Sequence, residues 1–132
     1  MSPTLFLWLV FCAAPEAPVR ATVHKVYDGD TITVTIHLPF GVDLPQKTVR
    51  AYGYDAWEIK KGRRTVRITP EERAAGKKAQ QALSQLLKTE VWLEDSGKHD
   101  PYGRISARLW VKNGENWIDV AAWAVENGHT RQ

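Results

Sequence analysis

Between Val49 and Glu58, three charged residues, Arg50, Asp55 and Glu58, stand at the end of an apolar stretch that reads as a buried strand. Charges of both signs beside apolar residues are costly unless they face one another, a metal or a ligand. Two earlier carboxylates raise the same question. Asp28-Gly29-Asp30 runs into Thr31–Leu38, where polar and apolar residues alternate strictly. Ile32, Val34, Ile36 and Leu38 share one face, and Asp30 has their parity, so it points toward the core. Asp28 has it too if the strand continues through Gly29. A further arginine, Arg104, follows Asp100-Pro101-Tyr102-Gly103, which has the composition of a type I turn. Carboxylates are ligands for hard cations, and guanidinium forks donate paired hydrogen bonds to phosphate.

Positioning these groups sets a demand on the backbone. Arg50 and Asp55 are five residues apart, so a regular strand sends them to opposite faces. Gly53 offers the bulge or sharp bend that brings both to one site. The elements around them read in order. Ala21–Tyr27 is a first strand, Thr31–Leu38 a second and Gln46–Tyr54 a third, with a Gly- and Pro-containing loop from Pro39 to Pro45. Thr69, Pro70 and Glu72 form a helix start with a capping box. Ala75, Ala79, Ala82, Leu83, Leu86 and Leu87 make its apolar stripe. Glu90–Glu94 is a fourth strand. In the fifth, which starts at Arg104, Ile105, Ala107, Leu109 and Val111 face inward. Asn113-Gly114 is a hairpin turn. Asp119 caps a last helix in which Val120, Ala121, Ala124 and Val125 pack inward, and Gly128 ends it. Five strands with one helix between the third and fourth and a C-terminal helix predict a mainly β, α+β fold: a five-stranded OB-fold barrel.

The totals bound the rest. A chain of 132 residues is one domain. A net charge of +3 suits a polyanionic partner. Leu5–Ala14 is an apolar run of signal-peptide length, too short to span a bilayer. Residues 1–20 therefore read as a signal peptide and short linker, and 21–132 as the folded domain; an N-terminal strand or hydrophobic tail is the alternative. Cleavage removes Cys12, the single cysteine, and leaves a chain that needs no disulfide. The expected protein is secreted or periplasmic, monomeric, and without stable membrane association after processing. His24, His37, His99 and His129 lack metal-ligand spacing and read as surface or strand residues.

Four pieces in order, Asp28-Gly29-Asp30-Thr31, Arg50, Asp55-Ala56-Trp57-Glu58 and Asp100-Pro101-Tyr102-Gly103-Arg104, resemble the staphylococcal nuclease-like (thermonuclease) family. That family's signature runs Asp-Gly-Asp-Thr, then Arg followed by Asp-Thr-Pro-Glu, then Tyr-Gly-Arg. The resemblance covers about residue 21 to the C-terminus. It implies an OB-fold barrel and calcium-dependent hydrolysis of phosphodiesters in DNA and RNA. Asp30 and Asp55 fall on the calcium-ligating carboxylates, and Ala56 on the residue that ligates through its backbone carbonyl. Arg50 and Arg104 fall on the phosphate-binding arginines, and Glu58 on the glutamate usually assigned as general base. Asp28 matches an acidic residue just outside the metal's ligands, and Tyr102 an aromatic beside the bound nucleotide.

The departures are local. The family's Thr-Pro is Ala56-Trp57 here; a backbone ligand survives that change, while the aim of Glu58 loses the proline's restraint. From Lys60 to Arg67 five positive charges fall in eight residues, and Lys60, Lys61, Arg63 and Arg64 are expected to extend the phosphate-binding surface. The sequence stops soon after Gly128 without the further helix of the family's best-known member, which bears on stability more than on chemistry. The rival reading is a catalytically inactive OB-fold module that binds nucleic acid or protein.

Overall fold

The alternation from Thr31 onward produces the strand it predicts. The computed structural model describes residues 13–57 and 68–131, and in it β1 spans Val19–Asp28, β2 Thr31–His37 and β3 Asp43–Ala51. Helix α1 covers Pro70–Leu87. After it come β4 (Glu90–Asp95), β5 (Ile105–Asn113), β6 (Asn116–Asp119) and helix α2 (Val120–Glu126). The sheet order is β3-β2-β1-β4-β5-β6, and a parallel pairing of β3 with β5 closes the first five strands into a mixed barrel. Closure leaves a sheet no free edges among those strands. Register shifts in the β1–β2 and β2–β3 ladders bend the strands around the barrel. The result is an α+β OB-like barrel.

Ile32, Val34, Val49, Val91, Leu109 and Val120 are all but inaccessible and fill the interior. Helix α1 begins where its cap dictates: Thr69 Oγ1 accepts the Glu72 N–H at 3.1 Å, and Pro70 fills the first turn. Its buried face carries Gly76, Ala79, Leu83 and Leu87. Full burial of each leucine contributes roughly 1.5–3 kcal/mol. Gln80 fixes the helix against β1 by donating to the Val26 carbonyl at 2.9 Å. Since β1 leads into Asp28-Gly29-Asp30, the helix also fixes the first acidic turn.

The structure revises several expected boundaries. The Asn113-Gly114 hairpin adds a sixth strand, outside the closed five, which pairs with β5 from Trp110 to Asn113. Val19 and Arg20 pair with Leu93 and Trp92, so the barrel starts two residues before the boundary expected at residue 21. β3 runs earlier than expected, starting within the expected loop after a 3-10 turn at Pro39–Gly41 and stopping at Ala51. Val125, expected inside, is 60 % exposed. Gly128, at φ 71°, reverses the chain there, and the His129 N–H returns to the Ala124 carbonyl at 2.9 Å, so the inner face of α2 is closed off one residue earlier. The apolar run from Leu5 lies almost wholly outside the described residues. Among the described residues no helix is long and apolar enough to cross a membrane.

Candidate metal and phosphate site

β3 stops at Ala51, and the chain turns through Tyr52 and Gly53, which has a φ of 105°. That is the break the spacing of Arg50 and Asp55 demands; a side chain there would be strained in conformation and would press on Ala121 at 3.1 Å. The turn folds the loop around the Arg50 guanidinium. Its Nη1 donates to the carbonyls of Ala51 at 2.7 Å and Tyr54 at 3.1 Å. Its Nη2 meets both carboxylates at once, Asp30 Oδ2 at 3.2 Å and Asp55 Oδ1 in close contact. Arg50, Asp30 and Asp55 therefore converge on one point, although they come from three segments.

Asp30 is only 7 % exposed. Its Oδ2 accepts the Ala56 N–H at 2.8 Å, and its Oδ1 accepts the Thr31 hydroxyl at 3.1 Å. Asp28 stands beside it and accepts the Asp30 N–H through Oδ1 at 3.1 Å. The Tyr54 hydroxyl donates to the Gly29 carbonyl at 2.6 Å and ties the acidic turn to the Arg50–Asp55 loop. Gly29 itself is a packing requirement. A Cβ there would lie 2.6 Å from the Ala56 Cβ and 2.8 Å from the Ala79 Cβ. Gly29→Ala is thus expected to lower stability by about 1–3 kcal/mol through overpacking. Urea unfolding curves of the two proteins check this.

Burial, then the hydrogen bond and negative charge of Asp28, push the Asp30 carboxyl up from 3.8 to about 7, against the opposing pull of Arg50 and the Ala56 N–H. The Tyr54 hydroxyl is raised as well, by burial first and then by the charge of Asp30. Asp30 is a buried acid with less positive charge around it than its carboxylate form needs. The donors at the convergence point, the Asp30 and Asp55 carboxylates with the Ala56 backbone adjoining, are oxygen-rich, and they already gather around a cationic nitrogen. This donor set fits a hard divalent cation. Among the described residues no third Asp, Glu, His or Cys completes a metal-binding group.

The parallel β3–β5 pairing sets Arg50 opposite Ser106, which brings Arg104, two residues earlier, to the same seam. The Arg104 guanidinium is gripped by Asp100: Nε donates to Oδ2 at 3.0 Å and Nη2 to Oδ1 at 2.9 Å. These bonds hold the Asp100 carboxyl down at about 2 and raise Arg104, to which the charges of Asp30 and Asp28 add. Tyr102 is 78 % exposed, with the Arg104 guanidinium carbon 5.5 Å from its ring centre. A cleft of about 700 Å³, lined by Arg50, Tyr52, Tyr54, Asp55, Ser106 and Thr130, opens beside the convergence point. That volume is in the range of small-molecule sites.

Glu58, Lys60, Lys61, Arg63 and Arg64 lie outside the described residues. The structure thus brings together Asp28, Asp30, Arg50, Asp55 and Ala56, with Arg104 and Tyr102 held on the adjoining loop. One residue is corrected: His129, expected at the surface or on a strand, is 8 % exposed and lies against Trp123 with ring centres 5.2 Å apart. Burial, then the charge of Lys78, lowers its pKa. One contributor had no reading in the sequence, and a second, Asp100, was read only as the head of the turn that leads to Arg104. The C-terminal segment bridges Thr130 to Ala56, and the Arg131 N–H donates to the Asp55 carbonyl at 2.7 Å, bracing the loop from outside. Asp100 reads as a turn former only. An Asp four residues before an Arg across a Pro-containing turn was its one available signal.

Compared with known proteins, the chain matches no family model and no curated protein.

Proposed function

We propose that this protein is a calcium-dependent nuclease that hydrolyses phosphodiester bonds in DNA, RNA or both, exported as the N-terminal run suggests. The observation that carries the reading is the convergence of Asp30 and Asp55 on one cationic atom, with Arg50 and Arg104 at the same seam. Asp30, Asp55 and the Ala56 backbone are the groups that would hold calcium. When bound, the ion would withdraw charge from a phosphate oxygen and help orient a water. The remaining work falls to side chains. Arg50 and Arg104 donate to the phosphoryl oxygens as negative charge gathers on them. Glu58, through the family resemblance, accepts or orients the proton of the attacking water. Tyr102 offers an exposed ring for a base, the cleft beside Arg50 takes a nucleoside, and Lys60, Lys61, Arg63 and Arg64 attract the polyanion.

The reading is tested by Glu58→Ala and Arg104→Ala. Each is expected to remain folded by circular dichroism and to lose on the order of 10²–10³ in the rate of single-stranded DNA cleavage in calcium. Full activity in both would remove the assigned roles. One observation favours a second reading, a non-catalytic binding module. Arg50 already bridges both carboxylates, which makes a closed ion-pair network sufficient without metal. Nucleic-acid binding without cleavage, unaffected by EGTA, would select that module.

A further inference from the structure

Arg104 is held more fully than a turn requires. The loop from Asp100 to Gly103 is already closed by its backbone: the Gly103 N–H donates to the Asp100 carbonyl at 3.1 Å, and Gly103 has a φ of 81°. Asp100 Oδ2 also accepts the N–H groups of Tyr102 at 3.0 Å and Arg104 at 3.1 Å. Those bonds alone would account for an aspartate in the first position of a turn. The fork to Nε and Nη2 is additional. The Asp100 side chain is 6 % exposed and that of Arg104 29 %, so the pair is largely withdrawn from solvent.

A guanidinium presents five N–H donors and more than one edge suited to a bidentate acceptor. Asp100 takes the edge formed by Nε and Nη2. The second hydrogen of Nη2 and one hydrogen of Nη1 form the adjoining end-on edge, and among the described residues none takes a hydrogen bond from Nη1. A phosphoryl group can therefore dock on Arg104 without displacing Asp100. A long side chain with roughly 2 kcal/mol of rotamer entropy also meets it already ordered. We propose that Asp100 is the positioning residue of the phosphate site, clamping one edge of Arg104 so that the other is presented to the substrate. Its catalytic consequence rests on the phosphodiesterase reading; its effect on phosphate binding does not.

Asp100→Asn separates the clamp from the turn, because asparagine keeps an oxygen for the backbone N–H groups but sets an NH₂ group against the guanidinium. Steady-state cleavage of single-stranded DNA in calcium is measured for the wild type, Asp100→Asn, Arg104→Ala and the double variant. Asp100→Asn is expected to lower kcat by about 10–100-fold and to raise KM by up to about 10-fold, as misplacing a group that both binds and stabilises the phosphate does. In the Arg104→Ala background it should change nothing further. An unchanged or raised kcat would show that Asp100 competes with the phosphate or is idle, and an equal loss in both backgrounds would show a structural role; either overturns the proposal. The second readout needs no turnover. Inorganic phosphate is titrated and followed on the Gly103 and Ile105 amide resonances. About 10-fold weaker binding in Asp100→Asn supports the clamp, and equal or tighter binding refutes it, whether or not the wild type cleaves nucleic acid.

Discussion

Asp30→Asn is expected to stabilise the metal-free protein at pH 8 while abolishing calcium-dependent cleavage. The folded protein holds the Asp30 proton up to about pH 7, against 3.8 in the unfolded chain, chiefly because the carboxyl is buried. A raised folded pKa means that the native state binds the proton more tightly. This contribution to stability is complete below about pH 4 and is lost as pH rises through 7. Its size is on the order of 4 kcal/mol, taking about 1.4 kcal/mol for each pH unit. Asparagine mimics the protonated acid in shape and carries no charge. In EDTA, then, the wild type should lose stability between pH 5 and pH 8 relative to Asp30→Asn, and urea unfolding at the two pH values measures the difference. An equal pH dependence in the two proteins would remove Asp30 as the titrating group. On the proposed function, the same linkage is expected to weaken calcium binding below pH 7, since the ion would have to displace the proton. An acid whose charge costs stability where it sits is explained if that charge has a use, and calcium is the use proposed.

Arg50→Ala is expected to be the most damaging single truncation. Nη1 satisfies two loop carbonyls and Nη2 neutralises two carboxylates, so its loss leaves the Ala51 and Tyr54 carbonyls unpaired and Asp30 without a counter-charge. Removing one partner of such a network costs about 2–4 kcal/mol. Protonation of Asp30 limits the penalty at neutral pH. Calcium should then restore much of the lost thermal stability by taking up the same two carboxylates. It should not restore cleavage, which is expected to stay down by at least about 10²-fold because a phosphate donor is gone. Thermal unfolding with and without calcium, alongside a cleavage assay, separates the effects. Recovery of activity together with stability would show Arg50 to be structural only.

The legible part of this molecule is the part written in local pattern. The alternation of Thr31–Leu38 placed Asp30 toward the interior, and the Thr69 and Asp119 caps marked both helix starts. The five-residue spacing of Arg50 and Asp55 forced a break that Gly53 supplies. What escaped is non-local. β6 is four residues long, too short for a periodic signal. Val125 has the spacing of the inner face of α2, but the return of His129 to Ala124 closes that face first. The brace from Thr130 and Arg131 joins residues far apart in sequence, and nothing in either segment announces the other. Asp100 and Arg104 have a spacing that brings side chains together on a helix, yet they meet across a turn, where that rule does not apply.

We propose that the convergence of Asp30, Asp55 and Arg50, with Arg104 on the adjoining loop, cuts phosphodiesters with calcium. It is tested most directly by incubating folded, purified protein with single-stranded DNA and with RNA in millimolar calcium, and in parallel with excess EGTA. Cleavage of at least one substrate in calcium and none in EGTA is expected. Intact DNA and RNA in calcium, with the protein folded throughout, would contradict it.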